Sequence, residues 1–283
     1  VLLCGLQGFF LIHFFSIMKF SKILGFAALL VVLVLQSCDP NAGGEKFGYK
    51  AGDYSVYETV AIDSAGRQQG TPTRSTTTVL RTNVSVGGQS DAAELVDSTF
   101  GAGGPTVTRT FYRVSNDEVF YYLDTAGIGA VVGALGMGAT APRLTGFTPR
   151  WVKSAELKDA AGTMDFPEIS FSVSTEQPPL GTVMVTAKIV GRNQGKTAVM
   201  INSSTTHQTH RQSQTVTASS TIPLVGNISI PVTTDTYFGI PSTGAPRTIV
   251  RTESKATSIN IPILGPLALP GSRRTLVSFT PGK

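Results

Sequence analysis

Side-chain catalysis needs a nucleophile, a base or a metal-binding set, and this sequence is sparing with all three. Its histidines are His13, His207 and His210, and its cysteines are Cys4 and Cys38. His207 and His210 stand three apart in a run of strand-like composition, Thr205–Ile222, so they point to opposite faces. No Asp, Glu or Cys lies between Ser203 and Ser220. A tetrahedral zinc site needs three or four converging ligands, so no metal is expected. No Gly-x-Ser-x-Gly elbow is present. Gly127-Ile128-Gly129-Ala130-Val131-Val132-Gly133 is spaced one residue off a dinucleotide loop, and no βαβ unit surrounds it. The acids are scattered. The sequence points away from an enzyme and calls for no cofactor.

The one residue placed for covalent chemistry is Cys38. Met18, Lys19 and Lys22 precede an apolar run, Ile23–Leu35, and then come Gln36, Ser37 and Cys38. A charged start, an apolar core of signal length and a small residue form the layout of a secretory signal. Leu35-Gln36-Ser37-Cys38 resembles the lipobox of bacterial lipoproteins. That resemblance implies cleavage after Ser37, lipid on Cys38 and a membrane as partner through that anchor. It also implies a cell-envelope address, with the outer membrane expected over the inner. The alternative is an uncleaved span, for which about 20 apolar residues suffice. Residues 1–17 read as an extension upstream of a signal that is complete from Met18.

Removing the signal takes Lys19 and Lys22 from the 23 basic residues and none of the 18 acids, so a net charge of +5 falls to +3. With no basic run, nucleic acid is not an expected partner. Cys4 leaves with the signal and Cys38 is acylated in this reading, so no disulfide or thiolate metal site remains. A chain rich in Ser, Thr, Gly and Val favours strands.

Residues 38–48 read as a lipidated cysteine and flexible tether, and residues 49–283 as one antiparallel β domain. Alternation marks strands over Thr73–Val86, Ala92–Phe100, and a hairpin of Val107–Val114 and Val119–Leu123 around Ser115-Asn116-Asp117. Trp151–Leu157 is a short strand or a helical turn. Lys158–Pro179 is mostly loop, with a strand at Ile169–Val173. Val183, Val185, Ala187 and Ile189 alternate, Gly191–Gly195 turns the chain, and Thr197, Val199 and Ile201 resume. Strands follow at Thr205–Ile222, Ile228–Phe238, Arg247–Ile261 and Arg273–Phe279. The fold class is all-β: a large curved antiparallel sheet with few short helices, either a half-barrel or a closed barrel or sandwich.

The opening Gly52-Asp53-Tyr54-Ser55-Val56-Tyr57 resembles the Gly-x-x-Trp-x-Tyr start of envelope lipoproteins of Bacteroidota-type bacteria, with Ser55 in place of the tryptophan. The close, Thr236–Ser254 and Gly271–Phe279, is similar to theirs as well. That resemblance implies an outline like the LolA-like half-barrel of lipoprotein carriers, and with it an apolar cavity. Asp63-Ser64-Ala65 and Asp124-Thr125-Ala126 resemble the O-glycosylation pattern of such envelope proteins. A plain turn accounts for each equally well.

An internal repeat adds candidate contacts. Ile222–Pro231 recurs as Ile261–Pro270, and prolines place each copy at a strand end and tip. In a meander both tips fall at one end of the sheet. Leu224, Val225, Ile228, Ile263, Leu264 and Leu267 would then form an apolar rim, or cap the domain's own core. Gly129, Gly133, Leu135 and Met137 are candidates for a lid over a cavity. The functional expectation is a non-enzymatic, lipid-anchored envelope protein binding an apolar ligand or lipid in a curved sheet. The alternative is a structural or adhesive β module contacting protein or glycan.

Overall fold

Runs in which branched or aromatic residues alternate with Ser and Thr can bury one face and wet the other, and the chain is built almost wholly from such runs. The structure, a computed structural model, describes residues 46–101, 104–125, 143–165, 169–174, 182–202, 204–222, 226–261 and 265–283. Its strands are β1 (Tyr54–Ile62), β2 (Gln68–Val86), β3 (Gln89–Gly101), β4 (Gly104–Ser115), β5 (Glu118–Leu123), β6 (Arg143–Thr145), β7 (Arg150–Glu156) and β8 (Gly162–Asp165). They continue as β9 (Ile169–Ser174), β10 (Thr182–Met200), β11 (Thr206–Ile222), β12 (Gly226–Gly239), β13 (Ile249–Ser254), β14 (Thr257–Ile261), β15 (Gly265–Leu269) and β16 (Gly271–Thr280). A single 3-10 turn, Pro241–Thr243, is recorded among the described elements. Residues Glu45–Lys283 form a compact unit.

One fourteen-stranded sheet runs in the order β6-β9-β10-β11-β12-β13-β16-β1-β2-β3-β4-β5-β7, with β8 pairing β10. Every pairing described below is antiparallel. The meander is broken where β6 pairs β9 and β8 pairs β10, and again where the hairpin β14–β15 forms its own two-stranded sheet between β13 and β16. β16 joins the two halves by pairing with both β13 and β1. The all-β expectation holds.

The two ends of the sheet differ. At the lower end lie the starts of β1 and β13, the ends of β12 and β16, and the β4–β5 turn. That turn is carried by Asn116 (φ 53°) and Asp117 (φ 60°), the pair of left-handed residues that a two-residue hairpin needs. The buried core gathers at this end: Phe47, Val119, Ala155 and Phe238, with Tyr49, Tyr112, Val114, Leu157 and Ile249 packed against it. Val119 and Ala155 come from β5 and β7, Phe238 from β12, so the two flanks of the sheet meet across this core. Phe47 stacks edge-on to Tyr49 at 5.5 Å and to Phe238 at 5.4 Å. Phe47, within the stretch read as tether, is thus part of this core.

A buried ion pair locks the same end. Arg247 donates to both oxygens of Asp53, at 2.9 and 2.7 Å, and Gly282 N donates to Asp53 at 2.8 Å. Thr248, beside Arg247, hydrogen-bonds Tyr57 at 2.9 Å and Ser55 at 3.2 Å. The loop after β12, the start of β1 and the C-terminus are thus tied together.

Two expectations are corrected. Gly191–Gly195 does not turn the chain: β10 runs straight through it, and the pairing with β11 only shifts between Asn193 and Lys196. Gly195, at φ 76°, donates its N–H to Asn193 Oδ1 at 2.9 Å, which makes a bulge and not a reversal. Arg247–Ile261 is not one strand either. It breaks at Lys255-Ala256, opposite Gly271, where an added Cβ would lie 2.6 Å from Ser254 O and from Ala256 N. That close approach lets the β14–β15 hairpin leave the sheet.

Candidate functional site

Register decides what lines the inner face of the sheet above that core. Residues paired across an antiparallel ladder share a face. On β10, β11 and β12 the rows read Val185–Ser220–Ile228, Ala187–Ala218–Ile230 and Ile189–Val216–Val232. The same parity carries down β12 to Phe238 in the core, so these rows belong to the inner face. Val185 and Ala187 are buried, while Ile189, Val216, Ala218, Ile228, Ile230 and Val232 are only half-buried. This is an aliphatic wall, broken only by Ser220.

The opposite half differs in chemistry. Following the ladder through β16, β1, β2, β3 and β4, inner positions are Arg274, Thr59, Thr73, Ser75, Thr77, Asp97, Thr99, Thr106, Thr108 and Thr110. That face carries hydroxyls there: Ser75 and Thr77 are buried, and Thr73, Thr99, Thr106 and Thr108 are exposed. Between wall and core lies a polar belt, the row Gln212–Thr236–Thr252–Arg274.

Within the belt, Arg274 donates to Asp97 at 3.0 Å and to Thr77 at 2.8 Å, and Thr77 donates to Asp97. The Arg274 guanidinium lies 3.9 Å from the Tyr57 ring centroid. Tyr49, Tyr57 and Tyr112 adjoin it. Burial pushes all three phenols above their ordinary range, and for Tyr49 the neighbouring Tyr112, Tyr57 and Asp97 add to the effect. The Tyr49 hydroxyl, Thr110 Oγ1 and Arg274 Nε are buried without a hydrogen-bond partner.

The sheet is closed by side chains. Gln214 and Gln212 of β11 donate to Ser154 O and Glu156 O of β7. Asn193 continues the series, donating to Lys158 O at 3.0 Å and Ala160 O at 2.8 Å. Four carbonyls at alternate positions of an edge segment are thus met by amide groups of an inner face, where a ladder would otherwise be needed.

Of the expected site residues, Ile228 stands on the aliphatic wall. It also lines a concavity of about 580 Å³ at the β11–β12 tip with Met184, Thr186, Ser219, Thr221 and Asn227. Leu267 is in β15, opposite Ile259. Ser37, Cys38, Leu224, Val225, Ile263, Leu264, Gly129, Gly133, Leu135 and Met137 lie outside the described residues. β11, which leads into the first repeat copy, and β13 both pair β12 antiparallel and so run in the same direction, while the second copy lies in the separate β14–β15 hairpin. Pro231 sits in the part of β12 that has a ladder on the β11 side alone, where its missing N–H costs nothing.

The two histidines separate as expected. His210 is buried beside the core, and burial holds its imidazole below the ordinary value. His207 lines a groove of about 500 Å³ with Ile201, Ala245, Leu276, Val277 and Phe279. No cluster of metal ligands occurs among the described residues. Asp63 accepts from Ala65 N and Arg67 N, both at 2.9 Å, so the first Asp-Ser-Ala sequence is built as a turn.

Sequence reasoning missed the belt and the amide closure. The alternation of Val185, Ala187 and Ile189 was a usable signal for the wall; nothing local marks Arg274 and Asp97, 177 residues apart, as partners.

No protein-family model matches the sequence, and no curated protein matches it. Among solved structures, the chain is similar to a candidate lipoprotein from Parabacteroides distasonis at 13% identity and a TM-score of 0.48, covering 83% of this chain and 97% of that one. It is also similar to a candidate exported protein with a YmcC-like fold from Bacteroides fragilis at 11% identity and a TM-score of 0.44, covering 84% of this chain and 100% of that one.

Proposed function

We propose that this chain is a non-enzymatic, lipid-anchored protein of the cell envelope that holds an apolar ligand or lipid chain against the inner face of its sheet. The carrying observation is the half-buried aliphatic wall of β10–β12 on the face that also carries the core residue Phe238. Fully burying one such side chain contributes about 1.5–3 kcal/mol, so a chain laid over several gains substantially. The anchor rests on the sequence, with Cys38 as the acylated residue and the outer membrane as the proposed address.

Binding of a fluorescent long-chain probe to wild type and to Ile230→Asp tests the ligand reading. The wild type should bind, and the variant should lose most affinity while staying folded. Equal binding by both would refute it.

A second reading, a contact module, is favoured by one feature. The β3–β4 hairpin end carries Phe100 and Val107, 54% and 60% exposed. Replacing both with Ser should abolish a protein or glycan contact if that reading holds, and leave probe binding intact.

A further inference from the structure

We propose that the Arg274–Asp97 node is the headgroup subsite of the ligand, and that it takes an uncharged, hydroxyl-bearing head such as that of an alkyl glycoside or a monoacylglycerol. This inference rests on the aliphatic wall being the seat of the apolar chain. Arg274 and Asp97 keep 31% and 28% of their side-chain surface exposed, so the node is accessible to a ligand. On β12, Val232 of the wall is four residues above Thr236 of the belt, about 14 Å along the strand, and Ile228 is about 27 Å above it. A tail on the wall therefore directs its head to the belt.

The chemistry of the node selects the head. The guanidinium and the carboxylate cancel, so the node has no net charge to offer an anion. Bringing a phosphate beside Asp97 inside the sheet would bury like charges together. The node and its surroundings also hold polar groups that no protein hydrogen bond meets. Tyr49 OH, Thr110 Oγ1 and Arg274 Nε are buried and unpartnered. Such groups are normally met by water or a ligand in a native protein. Hydroxyls both donate and accept, and so can serve the two side-chain hydroxyls and the guanidinium together.

The experiment compares dodecyl glucoside, dodecyl phosphate and an uncharged dodecyl chain without a polar head, each below its micelle concentration, on the Glu45–Lys283 unit. That unit contains the core, the ion pair and the ladder of the described residues. Calorimetry should show the glucoside binding about tenfold tighter than the phosphate. Asp97→Asn leaves the node positive and should reverse that preference. Thr110→Val removes a hydroxyl that bonds nothing in the protein, and should weaken the glucoside several-fold without lowering Tm. Phosphate binding as tightly as glucoside in wild type would overturn the assignment, as would an unchanged preference in both variants. If all three chains bind alike and Ile230→Asp weakens all of them, the wall stands and the headgroup site falls. If none binds, both fall.

Discussion

Gln212 of β11 donates its side-chain amide to the backbone carbonyl of Glu156 in β7, two strands that are not ladder neighbours. With Gln214 and Asn193 it holds the free edge of the sheet against the inner face of the other flank. A barrel closed this way depends on particular side chains and not on a continuous ladder.

Replacing Gln212 and Gln214 together by Leu should therefore leave Ser154 O and Glu156 O unmet. Each unsatisfied buried group costs about 1–3 kcal/mol. Amide exchange should become faster in β7 while β1 and β2 stay protected. Unchanged exchange in β7 would show that closure does not rest on these amides.

Much of the sheet could be read from the alternation itself. Thr73–Val86, Ala92–Phe100, and the hairpin around Asn116-Asp117 match β2, β3 and β4–β5 to within a few residues. What local pattern cannot carry is closure. Gln212 and Glu156 meet because the sheet curls, and no spacing between them announces it. β8 was hidden because Gly162–Asp165 is too short to alternate visibly. Gly191–Gly195 has turn composition, yet the Asn193 side chain uses it as a bulge. Phe47 looked like tether because its partner Phe238 is far away in sequence. The wall was half legible: its period was clear, its side of the sheet was not.

Phe47 is packed into the core against Phe238. Phe47→Ala should destabilise the domain by about 3–5 kcal/mol, the usual range for emptying a buried aromatic site. Deleting residues 39–44 should change Tm little. Thermal unfolding of the two variants separates these cases, and an unaffected Phe47→Ala protein would return that residue to the tether.

The Asp53–Arg247 pair is almost fully buried, with side-chain exposures of 4% and 8%. Arg247→Met should cost about 3–5 kcal/mol by stranding the carboxylate. Asp53→Asn with Arg247→Met should recover part of that loss. Denaturant titration gives both numbers, and a single variant as stable as wild type would mean the lock is not energetic.

Acid should weaken the fold through histidine. Burial lowers the folded-state pKa of His210, and of His207, below the ordinary value of about 6.5. The unfolded chain then binds protons first as pH falls, so stability is complete above pH of about 6.5 and declines below it. Tm should drop between pH 7 and 5, and His210→Gln should flatten that slope. A slope unchanged by the substitution would assign the acid sensitivity to other groups.

Cys38→Ala should block processing and leave an unlipidated precursor, visible as a heavier band that fails to label with a palmitate analogue. Normal processing and labelling of that variant would remove the anchor.

The central claim is that an apolar chain lies on the β10–β12 wall. Methyl NMR of Glu45–Lys283, titrated with a long-chain amphiphile, tests it most directly. The methyls of Val185, Ile189, Val216 and Ile230 should shift together and saturate, while those of Val119 and Val250 in the buried core stay put. Shifts confined to Met184 and Val190 on the other face of β10, or no saturable shift at all, would contradict it.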